Sequence, residues 1–145
     1  VDSGAGFSIS HSGGLVWAAF ATRGHVGIDV EQERESRDLL QLASMLHPME
    51  YAALQQCLPE ELASAFYRCW ARKEAVLKAC GTGLSQRLDH FRVCTDGRGS
   101  GWLESMADCA ATEWFTEDIL VPAGYRCSVA ADFRASGLRV VRAGW

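Results

Sequence analysis

Two short segments of the sequence combine carboxylates with a lysine at spacings that suit chemistry on phosphates. In GIDVE, Asp29 and Glu31 stand two residues apart, and such a pair on a β-strand leaves one face with its Cα atoms about 6.5 to 7 Å apart. Two carboxylates placed in this way can close on Mg²⁺, a hard cation that is commonly shared with substrate phosphates. The spacing alone leaves open a simpler interpretation, in which both side chains only line a solvent-exposed strand.

The second segment places charges at helical spacing. In FYRCWARKEAVLKAC, Phe66, Trp70, Glu74 and Lys78 follow one another at intervals of four, which keeps neighbours on one slowly drifting stripe of a helix. Glu74 and Lys78 could form a surface ion pair that contributes only about 0.2–0.5 kcal/mol. Next to a D-x-E strand, however, a third carboxylate and a cation complete the components of a metal-assisted phosphoryl-transfer site.

A third candidate stands where a predicted strand meets a glycine turn. His11 lies between Ser10 and Ser12, just before Gly13 and Gly14. An imidazole and hydroxyls offer hydrogen-bond donors to a phosphate or a ribose, although an ordinary residue at the end of a hairpin fits the pattern equally well. The segment Gly81-Thr82-Gly83 lacks the spacing and the lysine of a phosphate-binding loop, and it predicts the end of a helix.

Local patterns predict the elements that must position these residues. Apolar residues flank Gly13-Gly14 as in a hairpin, and Val26, Ile28 and Val30 alternate as in a strand with one buried face and the carboxylates on the other. Helices are predicted over 37–46, 48–58 and 59–80, and further strands over 88–94, 100–105, 111–120, 125–132 and 138–142. The order predicts an α+β fold in which a long helix packs on an antiparallel sheet.

Composition and charge argue against several classes of protein. The 145 residues are 48% hydrophobic and 22% charged, which is typical of one globular domain. A net charge of −4 argues against a broad nucleic-acid surface, which needs clustered basic residues. The six cysteines form no C-x-x-C pair, so neither a zinc site nor a disulfide framework is predicted. No membrane span or leader is evident, and we expect a cytoplasmic protein.

Three segments together carry a resemblance to a known family. FSISHS, GIDVE and FYRCWARKEAVLKACGTGL follow in the order and approximate spacing of the 4′-phosphopantetheinyl transferases of the Sfp type. The third segment is similar to the family signature W-x-x-K-E-A-x-x-K, which is matched here by Trp70, Lys73, Glu74, Ala75 and Lys78. The resemblance implies one pseudo-repeat of that fold. It also implies that residues 1–24 are the end of an N-terminal half and that residues 25–145 form the C-terminal transferase domain.

The resemblance implies a reaction and a role for each matching residue. The phosphopantetheine arm of coenzyme A would move to a serine of an acyl or peptidyl carrier protein, with Mg²⁺ as cofactor and adenosine 3′,5′-bisphosphate as the second product. The implied site residues are Asp29, Glu31 and Glu74 as metal ligands, Glu74 and Lys78 as catalytic groups, and Ser10, His11, Lys73 and Lys78 as coenzyme contacts.

Partners are less well specified by the sequence. Arg34 and Arg37 suit an acidic carrier protein, and Leu42 or Met45 would serve as apolar anchors unless they belong to the core. Because the resemblance covers only the end of the family's N-terminal half, the chain could pair with a separate N-terminal half or associate with itself. Two other functions remain open: a non-catalytic fragment that binds coenzyme A or a carrier protein, and a Mg²⁺-dependent phosphohydrolase that uses the same carboxylates.

Overall fold

The fold is that of a computed structural model, which describes residues 4–81, 87–103, 105–106, 113–134 and 138–141. Its helices and strands, in chain order, are β1 (Gly6–Ser12), β2 (Leu15–Ala21), β3 (Val26–Gln32), α1 (Leu39–Ala43), α2 (Pro48–Gln55), α3 (Pro59–Cys80), β4 (Phe91–Arg92), β5 (Ser100–Trp102), β6 (Ser105–Met106), β7 (Phe115–Asp118) and β8 (Tyr125–Ala131).

The centre of the fold is a long helix on an antiparallel sheet, as the sequence predicts. Four strands pair in the order β3-β8-β7-β5, so that β3 forms one edge of this sheet. Helix α3 packs across β3 and β8 and buries an apolar face that includes Phe66, Ala75 and Val76. The strands β1 and β2 form a separate antiparallel hairpin. The α+β architecture is therefore confirmed.

Helix α3 has the predicted bounds because its ends carry strong local signals. Pro59 occupies the first turn, where its missing N–H costs nothing, and Glu60 and Glu61 complement the helix dipole. Gly81 ends the helix in the left-handed conformation, with φ of 67°, which a residue with a side chain rarely adopts. The phosphate-cradle alternative for this glycine segment involves Thr82 and Gly83, which lie outside the described residues.

Strand β3 is covered on both sides, which corrects the prediction of a single buried face. Ile28 and Val30 pack with Val129 and with the inner face of the β1–β2 hairpin. The opposite face, which carries Gly27 and Asp29, lies under α3 and is also buried. Asp29 therefore sits between strand and helix rather than on a solvated surface.

The shorter elements differ from their predicted bounds. The first two helices occupy only Leu39–Ala43 and Pro48–Gln55, because each ends in a turn before the next helix begins. Phe91–Arg92 is the only strand in the predicted range 88–94, and it pairs with Ser105–Met106 outside the main sheet. Residues 138–141 are not in a strand. Among the described helices, none has the length and hydropathy of a bilayer-spanning segment.

The hairpin presents an apolar outer face. Alternation along the paired strands places six side chains on it, in the cross-strand pairs Phe7 with Phe20, Ile9 with Ala18 and His11 with Val16. All six residues are exposed, and Phe20 retains 77% of its accessible surface. The rings of Phe7 and Phe20 lie 5.0 Å apart. We call these six residues the hairpin outer face.

Candidate active site

The charged residues singled out in the sequence meet where α3 crosses β3. Lys78 donates from Nζ to the backbone oxygen of Ile28 at 3.0 Å and to Oδ1 of Asp29 at 3.2 Å. The Asp29 side chain is 7% exposed, whereas that of Lys78 is 33% exposed. Lys78 is thus ion-paired with Asp29 across the helix–strand contact, rather than only forming a surface pair along its own helix.

Glu31 and Glu74 are half-buried beside this pair and add negative charge. Burial raises the pKa of Glu31 to about 8, and both Asp29 and Glu74 contribute to that rise. Burial, together with the charge of Asp29, also raises the pKa of Glu74, an effect that Lys78 partly offsets. Asp29 thus raises the pKa of both glutamates, and such a cluster of carboxylates is one that a cation would stabilise.

One oxygen of Asp29 is buried without a hydrogen-bond donor. While Oδ1 accepts from Lys78 and Ser10, Oδ2 is inaccessible and has no such partner. A buried acceptor without a donor is costly, and either a proton on Glu31 or a bound cation would remove that cost. Burial raises the pKa of Asp29, although the neighbouring Glu31 and the hydrogen bonds from Lys78 and Ser10 act in the opposite direction.

The carboxylates fit a shared Mg²⁺ rather than a closed protein cage. Within the described ranges, no group of three or more His, Cys, Asp or Glu side chains is arranged to hold a metal ion by itself. Mg²⁺ is usually bound by one or two carboxylates together with waters and substrate phosphates, so an incomplete protein ligand set is what such a shared ion requires. Asp29, with its unpartnered Oδ2, and Glu31 on the same strand face match that chemistry.

Ser10 and His11 leave opposite faces of β1. The Ser10 residue is 6% exposed, and its Oγ accepts the N–H of Val30 at 3.1 Å while donating to Asp29 Oδ1 at 3.3 Å. His11 instead lies on the hairpin outer face and is exposed. Of the two residues, only Ser10 is brought to the carboxylates, and its hydroxyl is already engaged by protein groups.

Lys73 is not part of this group, although it precedes Glu74. It is fully buried, and its Nζ donates to Glu50 Oε1 at 2.7 Å and to the backbone oxygen of Phe91 at 2.6 Å. The other oxygen of Glu50 accepts the N–H of Val93. The coenzyme contact that the resemblance implies for Lys73 does not fit this burial, because the ion pair joins α2, α3 and the segment after β4 inside the core.

Sequence reasoning missed the residues that hold the site together. Ser8 and Ser12 accept backbone N–H groups of β3, a role that the alternation S-x-S-x-S could have suggested. A Cβ on Gly27 would lie 2.1 Å from the backbone oxygen of Ala75, so only glycine permits this helix–strand approach. The sequence indicates the buried position of Glu50 less clearly: Glu50 is the last residue of the capping box that begins at His47.

The residues named for carrier docking are accessible. Arg34 and Arg37 are exposed in the segment after β3. Leu42 and Met45 are 42% and 51% exposed, which removes the alternative that they belong to the core.

A family model described as the 4′-phosphopantetheinyl transferase superfamily matches residues 25–130. This range contains β3, α3 and all but the last residue of β8, and therefore all three carboxylates and Lys78.

Individual curated relatives carry the same description. The 4′-phosphopantetheinyl transferase HetI of a Nostoc species is 38% identical over 93 residues, which cover 63% of this chain and 39% of HetI. A 4′-phosphopantetheinyl transferase of Bacillus subtilis is 36% identical over 60% of this chain and 38% of its own length. Sfp of Bacillus subtilis is 35% identical over 133 residues, which cover 78% of this chain and 58% of Sfp. The chain thus spans between about two fifths and three fifths of these relatives.

Proposed function

This chain belongs to the 4′-phosphopantetheinyl transferase superfamily, and from this premise we propose that it transfers 4′-phosphopantetheine from coenzyme A to a serine of an acyl or peptidyl carrier protein. The observation that carries the proposal is the meeting of Asp29, Glu31, Glu74 and Lys78 at the β3–α3 crossing. Catalysis of phosphoryl transfer depends mainly on positioning and charge neutralisation. The three carboxylates and Lys78 supply both signs of charge at one place.

In the proposed step, the carrier serine oxygen attacks the coenzyme A phosphorus that bears the pantetheine arm. A new P–O bond forms while the bond from that phosphorus to the bridging oxygen of the pyrophosphate breaks, and adenosine 3′,5′-bisphosphate leaves. Glu74, or a water that it orients, accepts the serine proton. Burial and the charge of Asp29 raise the pKa of Glu74 in the absence of a cation, which makes its carboxylate a stronger base than that of an exposed glutamate.

Lys78 would act on the departing group. Its side chain is 33% exposed and its ammonium is held by Asp29 and Ile28, so we expect it to turn toward a phosphate oxygen without leaving the site. There it would neutralise the charge that develops as the P–O bond breaks, or donate a proton to it.

Asp29, Glu31 and Glu74 would hold Mg²⁺. When bound, the ion would neutralise pyrophosphate oxygens and offset the repulsion among the carboxylates. The buried Oδ2 of Asp29 supports this assignment. His11 remains a candidate for a phosphate contact from the end of the hairpin, whereas Lys73 is left out of the proposal because it is fully buried.

The carrier protein would dock beside this crossing. The exposed Arg34 and Arg37 suit an acidic partner, and the exposed Leu42 and Met45 offer apolar anchors at the rim. We place the reaction in the cytoplasm, a reducing compartment, and the free thiols of the described cysteines agree with such a setting.

The hairpin outer face supports a further part of the proposal, which is that residues 1–24 belong to an N-terminal half whose remainder covers this face. Apolar side chains with the exposure of Phe7, Ile9, Val16 and Phe20 are usually covered by another surface. The relatives named above are longer than the segments matched here, which is consistent with additional polypeptide. In its absence, this face favours self-association.

Intact-protein mass spectrometry tests the function. A carrier protein is incubated with this chain and coenzyme A, with and without Mg²⁺, and free coenzyme A is followed in a parallel sample without carrier. Gain of the phosphopantetheine mass only with Mg²⁺ is expected. Coenzyme A breakdown without a carrier would instead indicate a phosphohydrolase, and coenzyme binding without either product would indicate a binding fragment.

A further inference from the structure

Serine side chains take the place of a neighbouring strand along the edge of the main sheet. Because β3 is an edge strand, alternate backbone N–H groups point away from β8 and need other acceptors. The hydroxyls of Ser8, Ser10 and Ser12 accept the N–H groups of Ile28, Val30 and Gln32, at 3.0, 3.1 and 3.0 Å respectively. The three contacts repeat with the period of the strand and hold β1 against β3.

Ser10 differs from the other two in a contact that reaches the candidate active site. While its oxygen accepts from Val30, the same hydroxyl donates to Asp29 Oδ1 at 3.3 Å. A serine hydroxyl has one proton, and here that proton is directed to the carboxylate. Oδ1 is therefore fixed by Ser10 and Lys78, whereas the buried Oδ2 has no hydrogen-bond donor from the protein.

We infer that Ser10 is a positioning residue for Asp29, which orients that carboxylate toward Mg²⁺ and links the hairpin to the active site. This inference rests on the proposed function and revises one of its parts, since the resemblance gives Ser10 a direct contact with coenzyme A. A buried hydroxyl that already accepts one protein hydrogen bond and donates another is poorly placed to bind a ligand. Groups that orient a metal ligand influence metal affinity without touching the metal.

The chain offers a matched control for this inference. Ser8→Ala and Ser10→Ala each remove a hydroxyl from a buried serine and leave one N–H of β3 without its acceptor, but only Ser10 contacts Asp29. We expect both variants to lower the urea midpoint by similar amounts. Ser10→Thr, which keeps a hydroxyl, provides a second variant in which the contact with the carboxylate can form.

The test is calorimetric titration of Mg²⁺ into each folded variant in the presence of coenzyme A and without a carrier. Loss of a group that orients a metal ligand typically weakens metal binding by about 10–100-fold. We expect Ser10→Ala to fall in that range, and Ser8→Ala and Ser10→Thr to remain within about threefold of wild type, a margin well below that range. The KM for coenzyme A should change little in Ser10→Ala.

Each other outcome overturns a specific claim. Equal Mg²⁺ affinity in Ser8→Ala and Ser10→Ala would overturn the positioning role alone. A rise in the KM for coenzyme A with unchanged Mg²⁺ affinity would show that Ser10 contacts the coenzyme. Absence of Mg²⁺ binding by wild type would overturn both the inference and the metal assignment on which it rests.

Discussion

Replacement of Gly27 by alanine tests whether the closeness of α3 and β3 assembles the active site. A Cβ at this position would lie 2.1 Å from the backbone oxygen of Ala75, 2.5 Å from the backbone nitrogen of Ala79 and 3.0 Å from Lys78 Cβ. The two nearest atoms belong to the helix backbone, so no side-chain rotation can relieve the contact. To bring the shortest contact from 2.1 Å to 3.0 Å, the distance below which a Cβ contact essentially never occurs, α3 must move by about 1 Å.

That movement has two calculable consequences. Overpacking of a core typically costs about 1–3 kcal/mol of unfolding free energy, and we expect at least the upper part of that range because Ala75 and Ala79 are themselves almost fully buried. The same shift carries Glu74 and Lys78 away from Asp29. A displacement of about 1 Å can lower a reaction rate by about 100-fold, so turnover should fall by a similar factor.

The assay compares Gly27→Ala with Gly101→Ala in urea unfolding and in phosphopantetheine transfer measured well below the unfolding midpoint. Gly101 is the matched control, since it also lies in a strand of the main sheet but has no described atom within 4 Å of its added Cβ. The control should be neutral or more stable by up to about 1 kcal/mol. Wild-type stability and turnover in Gly27→Ala would refute the argument that this contact sets the geometry of the site.

Three further predictions concern the ion pair, the carboxylates and the hairpin. Lys73→Met should lower the unfolding free energy by about 3–5 kcal/mol in urea titration, because Glu50 stays buried without its cation. Adding Glu50→Leu to this variant should restore much of the lost stability. Additive losses in the double variant would refute the pairing. Without divalent cations, the unfolding free energy should fall as pH rises from about 5 to about 8. The reason is that Glu31 has a pKa of about 8 in the native protein and keeps a proton there, whereas in the unfolded chain it releases this proton near pH 4.5. In urea titrations at several pH values, Glu31→Gln should lose this component, and an unchanged slope would refute it. Phe20→Ser should reduce self-association, measured by sedimentation velocity, more than Leu120→Ser does. Leu120 is the control because it is 79% exposed but lies outside the hairpin outer face. Equal effects of the two substitutions would argue against an interface at the hairpin.

The parts of the fold that the sequence predicted are those fixed by local signals. Helix α3 could be bounded from Pro59 and Gly81, and the alternation around Asp29 identified β3, because each pattern reports the structure of its own segment. The proximity of Asp29 and Lys78 could be predicted only through the family resemblance, since it depends on how a helix and a strand 49 residues apart pack together.

The unpredicted features depend on neighbours that are distant in sequence. Lys73 stands in a charged motif, yet its partner Glu50 lies 23 residues away on another helix and draws it into the core. Ser10 stands in a motif that suggests a ligand contact, yet β3, 20 residues further on, uses its hydroxyl. The exposure of the hairpin outer face likewise depends on which side of the hairpin packs against β3, and the alternation along β1 and β2 does not specify that side.

The most direct test of the account is the rate at which a carrier protein gains the phosphopantetheine mass with wild-type chain and with Glu74→Gln, under identical Mg²⁺ and coenzyme A. Glu117→Gln, a change of the same kind on β7, is the control. Loss of a general base costs about 10²–10⁴-fold, and we predict a loss in this range for Glu74→Gln alone, with unchanged thermal unfolding. Equal rates in all three proteins would contradict the claim that the β3–α3 crossing is the active site.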